Sequence, residues 1–133
     1  MFGDTTQAQP VAQTGQYSEE AGIYPYQITL TAHQSLVDQS VIIDGNSDFV
    51  LFAIYGTSTG GYTVRVRNGN SRFICSAMLQ SVNFVGTAQF PVPLSKPFII
   101  PATGRIGIDI TDTSNAANNI ELCFAGIRRY QVG

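Results

Sequence analysis

The sequence contains no tryptophan, one histidine, two cysteines and few charged residues. Each shortage closes off a class of protein. His33, in Thr31-Ala32-His33-Gln34-Ser35, has neither an acid nor a cysteine beside it, so it lacks the partners that make a general base. Cys75 and Cys123 stand apart without CxxC spacing and read as free thiols buried in strands. Asp44, Asp48, Asp109 and Asp112 do not follow the dense oxygen-ligand spacing of a calcium loop. Asp44 and Asp112 are instead expected to hold turns through side-chain to backbone hydrogen bonds. No glycine-rich phosphate cradle precedes a helix, because no helix is predicted. Hence no catalytic residue, no cofactor and no metal ligand is predicted, and the chain reads as a non-enzyme.

Charged residues make up 12% of the chain, against roughly 25% in ordinary soluble proteins. The net charge is −2, so no overall field draws the chain to nucleic acid. No apolar run approaches the ~18 residues of a membrane-spanning helix. Met1-Phe2-Gly3-Asp4-Thr5-Thr6-Gln7 lacks the basic and apolar regions of a secretory signal, which predicts synthesis in a cytoplasm and no membrane partner. A surface so poor in charge is built from Ser, Thr, Asn, Gln and backbone, and such surfaces suit contact with other protein.

The 133 residues are enough for one core. Residues 1–25 are expected to form a flexible N-terminal arm. Gln7, Gln9, Gln13 and Gln16 alternate with small residues, Pro10, Gly15 and Gly22 interrupt any period, and too little apolar content offsets the entropy of ordering. The arm carries Asp4, Glu19 and Glu20 without a base, leaving seven bases against six acids in residues 26–133. It reads either as a frayed tail or as an arm that orders against a neighbouring subunit.

Residues 26–133 are expected to form the sandwich domain. Gln27–Thr31 alternates as a first strand, and Val41–Ile43 forms a short second one closed by Asp44-Gly45. Phe49–Gly56 is apolar on both faces, with Phe49, Leu51, Ala53 and Tyr55 on one side and Val50, Phe52 and Ile54 on the other. A strand of that kind must be covered twice, by a loop, the arm or a second copy. Gly56–Gly61 then reads as a flexible loop. Tyr62–Arg67 and Ser71–Cys75 flank the hairpin signal Asn68-Gly69-Asn70. Val64, Val66 and Phe73 would enter the core, with Arg65, Arg67 and Arg72 on the opposite face.

Ser76–Pro93 fits neither period and reads as a long connection with a short strand. Leu94–Ile100 reads as an edge strand because of Pro97. The clearest alternation comes last. Ile106, Ile108 and Ile110 line one face of Arg105–Thr111, and Ile120, Leu122 and Phe124 one face of Asn119–Tyr130, with the polar turn 112–118 between them. About eight short strands with regular turn signals predict an all-β antiparallel sandwich or jelly roll.

The candidate contact residues are Arg65, Arg67, Arg72, Val50, Phe52, Ile54, Arg128 and Arg129. Guanidinium forks grip carboxylates well, so the arginine face reads either as paired within its own sheet or as a grip on an acidic segment. Arg128-Arg129-Tyr130 either guards an edge or meets the acidic arm of another copy.

Pro97-Phe98-Ile99-Ile100-Pro101-Ala102-Thr103-Gly104-Arg105-Ile106, the stretch from Asp109 to Leu122, and the closing Phe124-Ala125-Gly126-Ile127-Arg128-Arg129-Tyr130 resemble small virion proteins of tailed bacteriophages, among them jelly-roll cement or decoration proteins. The likeness covers about the last 35 residues. It implies a structural role on the capsid surface of a virion, with the major capsid protein and copies of the chain itself (homodimer or homotrimer) as partners. A carbohydrate- or receptor-binding module of a tail or fibre is the alternative that the tyrosines keep open.

Overall fold

The computed structural model describes residues 17–68, 78–81, 85–89 and 92–131. Eight strands follow in order: β1 (Tyr17–Leu30), β2 (Ser35–Ile42), β3 (Asp48–Ser58), β4 (Tyr62–Asn68), β5 (Leu79–Gln80), β6 (Val92–Ile100), β7 (Arg105–Asp112) and β8 (Asn118–Gln131). The first four run out and the last four return beside them. β1 pairs with β8, β2 with β7, β3 with β6 and β4 with β5, all antiparallel. Contacts of β3 with β8 and of β4 with β7 join these ribbons into two four-stranded sheets, β1-β8-β3-β6 and β2-β7-β4-β5. A long hairpin rolled up in this way is a jelly roll. The expected all-β sandwich is therefore the fold.

Between the sheets lies one apolar core. Phe49, Leu51, Ile54, Ile100, Leu122 and Phe124 enter it from one side, and Val64, Val66, Ile106, Ile108 and Ile110 from the other, all essentially buried. The Phe49 ring meets Tyr24 edge-on at 4.8 Å between centroids, a favourable arrangement for two quadrupoles. The strands of cleanest alternation, β7 and β8, are central in their sheets, where one face must be apolar and both edges are paired.

Four expectations change. Residues 17–25, assigned to the arm, belong to β1, whose whole length pairs with β8 from Tyr17↔Gln131 to Leu30↔Asn118. Of that stretch Tyr24 alone reaches the core, and pairing with the long-range partner β8 orders it. β7 and β8 are not hairpin neighbours, because they lie in opposite sheets and the turn between them crosses the sandwich. In β3 the register shifts between Leu51 and Ala53 against both neighbours. This bulge inserts one extra residue and exchanges the two faces beyond it, so Ile54 joins Phe49 and Leu51 in the core. Finally, residues 59–61 are not a loose loop: the Gly60 N–H donates to Asn118 Oδ1 at 3.1 Å and the Gly61 carbonyl accepts from Asn118 Nδ2 at 2.9 Å. Asn68 ends β4, and the rest of the expected hairpin from Gly69 on, with Arg72, Phe73 and Cys75, lies outside the described residues.

Among the described residues, each edge strand carries a feature that blunts it. β1 carries Pro25, β6 carries Pro93, Lys96 and Pro97, and β5 is two residues long. β2 is bulged between Leu36 and Gln39, with Asp38 at a φ of 57°. Prolines, bulges and very short strands deny a second chain the row of free donors and acceptors that edge pairing requires. These features favour association through faces and loops over strand addition.

Candidate functional site

The outer face of β2-β7-β4-β5 carries the arginines. Alternation along β4 sends Val64 and Val66 inward and Arg65 and Arg67 outward, and register with β7 sets Asp109 opposite Arg65. Asp109 accepts from Arg65 Nη2 at 3.2 Å and from Arg67 Nη1 at 2.9 Å. The bulge in β2 turns the Asp38 N–H onto Asp109 Oδ1 at 2.8 Å. It also brings the Asp38 carboxylate against Arg67 and, at 3.3 Å, Arg105. Gly107 leaves the space that Arg67 fills, since a β-carbon there would stand 2.8 Å from Arg67 Cγ.

Burial pushes the Asp109 pKa up, but the Asp38 N–H and the two guanidinium groups outweigh it and hold the carboxyl below its ordinary value. The hydrogen bond to Asp109 holds Arg67 the more firmly protonated. Of the two readings of this face, pairing within the sheet is what Arg65 and Arg67 do.

A different character marks the outer face of β1-β8-β3-β6. Register places Ile23, Ala125 and Ala53 in one row, Ala21, Ile127 and Val50 in the next with Ile99 beside Val50, and Pro25, Cys123 and Tyr55 in a third. Ile23 is 51% exposed, Ile99 47% and Phe52, at the bulge, 39%. Thus Val50 and Phe52 lie on this face as expected, whereas Ile54 does not. Cys123 is half-buried, and burial pushes its thiol pKa up. Polar rows frame the apolar field: Glu19, Arg129 and Asp48 at one end, Gln27, Glu121 and Thr57 at the other. The second row and the neighbouring Thr29 and Asn119 line a shallow groove of about 470 Å³. There Gln27 donates to Glu121 at 2.5 Å, and Thr29 to Asn119 at 2.8 Å.

Arg128 points the other way, into the mouth of the sandwich. Its guanidinium lies 5.3 Å from the centre of the Tyr24 ring and within 3.5 Å of Glu20 and Asp44, a cation over an aromatic face flanked by carboxylates. The two neighbouring arginines therefore part: Arg128 ties β1, β8 and the 43–47 turn together, and Arg129 faces out.

The loops at the opposite end are held by Asp112 and Asn118, both buried. Asp112 accepts from the His33 N–H at 2.8 Å, from Ser114 Oγ at 2.6 Å and N–H at 3.1 Å, and from Asn118 Nδ2 at 3.0 Å. The Ser114 hydroxyl above all, with the other donors, outweighs burial and drives its carboxyl far below the usual range. Asp112 is thus the turn-holder its sequence position predicts. His33, at a φ of 61°, shares a 2.7 Å hydrogen bond with Asn115. Among the described residues no three His, Cys, Asp or Glu side chains converge as a metal site.

Sequence reasoning missed Asp38, Asp109, Ile23 and Ile99. The two aspartates meet arginines only through long-range register. Ile23 carried a signal in the alternation of Ala21, Ile23 and Pro25 against Tyr24, Tyr26 and Ile28, overlooked because the stretch was assigned to the arm.

No protein-family model matches the chain, and no curated protein matches it at a significant level. Among solved structures, the chain is similar to a chain of the structure of infectious bursal disease virus, Gx strain. The identity is 11%, the TM-score 0.28, and the alignment covers 86% of this chain. This chain spans 37% of that neighbour's length.

Proposed function

We propose that this chain is a structural virion protein without catalytic activity: a capsid cement protein that binds the lattice of the major capsid protein on the phage head. The observation that carries this reading is the division of labour on its surface. The arginines of the charged face are paired from within by Asp38 and Asp109, the described edges are blunted, and an apolar face carries the exposed Ile23, Phe52 and Ile99. Such a molecule is suited to be packed against protein. The likeness of residues 97–130 to phage virion proteins supports the same reading. Cement acts through buried area, each contact adding to the barrier against rupture by packaged DNA.

The test adds purified protein to expanded heads that lack it. Saturable binding at hundreds of copies per head, with a higher temperature of DNA release, is the expected result. No binding, or a dozen copies or fewer on native particles, would refute the reading.

The groove lined by Gln27, Thr29, Asn119 and Glu121 favours a second reading, a glycan-binding module of a tail or fibre, since amides and carboxylates at a shallow surface suit sugar hydroxyls. Glycan-array binding abolished by Glu121→Ala would support it.

A further inference from the structure

We propose that the outer face of the β1-β8-β3-β6 sheet is a two-fold interface with a second copy of this chain. The inference deepens the structural reading above by naming which face assembles and what covers it.

Area comes first. Three strands about 4.8 Å apart overlap for about eleven residues at ~3.3 Å each, and β6 adds about six residues beside β3, so the face presents roughly 600 Å². A symmetric pair would bury about 1,200 Å² in total, at the lower end of the ~1,200–2,000 Å² of stable specific interfaces. Shape comes second. The face alternates large and small side chains: Ile23, Ile127, Phe52 and Ile99 stand beside Ala21, Ala125 and Ala53. Knobs and hollows on one surface are what a two-fold operation brings into register with each other. An identical sheet also has the same twist, the condition for two sheets to pack face to face about 10 Å apart.

Charge comes third. The row Glu19, Arg129, Asp48 carries a guanidinium between two carboxylates. With the two-fold axis along the strands, this row meets its own copy reversed, and a small offset sets each arginine against the other copy's acids. Blunted edges remove the competing mode of association, strand addition.

Sedimentation of the isolated full chain across micromolar concentrations, without capsids, makes the test independent of head binding. The expected result is a monomer–dimer equilibrium that Ile23→Asp and Ile99→Lys each weaken about tenfold or more. Both positions lie outside the core, and an unchanged urea midpoint of the monomeric variants confirms that each still folds. Val37→Asp, at an exposed position in the other sheet, leaves the dimer intact. A chain monomeric at every concentration would overturn the proposal. So would a dimer that survives both face substitutions, or one that Val37→Asp disperses.

Discussion

Replacing Asp109 with asparagine keeps the shape of the side chain and removes its charge, at the buried carboxylate that Arg65 and Arg67 share. The Asp109 and Arg67 side chains are 8% and 11% exposed. Breaking a buried pair on one side costs about 3–5 kcal/mol, because the surviving charge is left without compensation. Here Asp38 still reaches Arg67, which argues for the lower end, about 3 kcal/mol. With a urea slope of roughly 2 kcal/mol/M, the unfolding midpoint should fall by about 1.5 M at neutral pH.

The same variant has a signature in acid. Asp109 holds its proton less tightly when folded than when unfolded. Its contribution is therefore complete above about pH 4 and is lost as the pH falls through the lowered folded value. Asp109→Asn lacks this component and should lose less stability than the wild type as the pH falls below about 4, while Asp112, depressed by its own donors, keeps an acid limb in both. Urea titrations at a series of pH values measure both effects. A midpoint within about 0.2 M of wild type, together with an unchanged acid limb, would refute the view that this cluster holds the sheet.

Gly126 lies at the β3 bulge, where an added methyl would run into the Val50 carbonyl oxygen and stand 2.9 Å from its carbon. Since backbone cannot give way as a side chain tip can, Gly126→Ala should cost about 2–3 kcal/mol or force the register of β3 to change, which amide exchange along β3 would detect. Asn118, fully buried, donates to Gly61 and Asp112 and accepts from the Gly60 N–H. Asn118→Ala should cost about 2 kcal/mol by thermal denaturation, with faster exchange at Gly60.

What could be read without coordinates followed from side-chain alternation. Ile106, Ile108 and Ile110, and again Ile120, Leu122 and Phe124, announce both the strand and its buried face, because period two is a local property. Partnership is not local. Nothing in residues 105–131 says that β7 and β8 belong to different sheets, and nothing near Arg67 points to Asp109. The bulge at Leu51–Ala53 has no glycine to announce it, so Ile54 was assigned to the wrong face. Among the candidate contact residues, Val50 and Phe52 were set on the face opposite Phe49 and Leu51 by alternation. Arg128 and Arg129 looked equivalent until the pairing of β1 with β8 sent one into the mouth and the other outward.

The rolled hairpin has a consequence in time. Its outermost ribbon joins Tyr17 to Gln131, and the next joins Ser35 to Thr111, so nearly every sheet contact closes a long loop of chain. Folds dominated by such distant pairings reach the native state slowly, on the order of milliseconds to seconds, since loop entropy is spent before contacts repay it. On a ribosome, β1 emerges long before β8, its one neighbour in the sheet among the described residues, and waits for it. β3 waits as well, for β6 on one side and β8 on the other. The chain therefore has no stable half: loss of β8 would unpair the first strand and one side of the third together, and the sandwich forms as a whole or not at all.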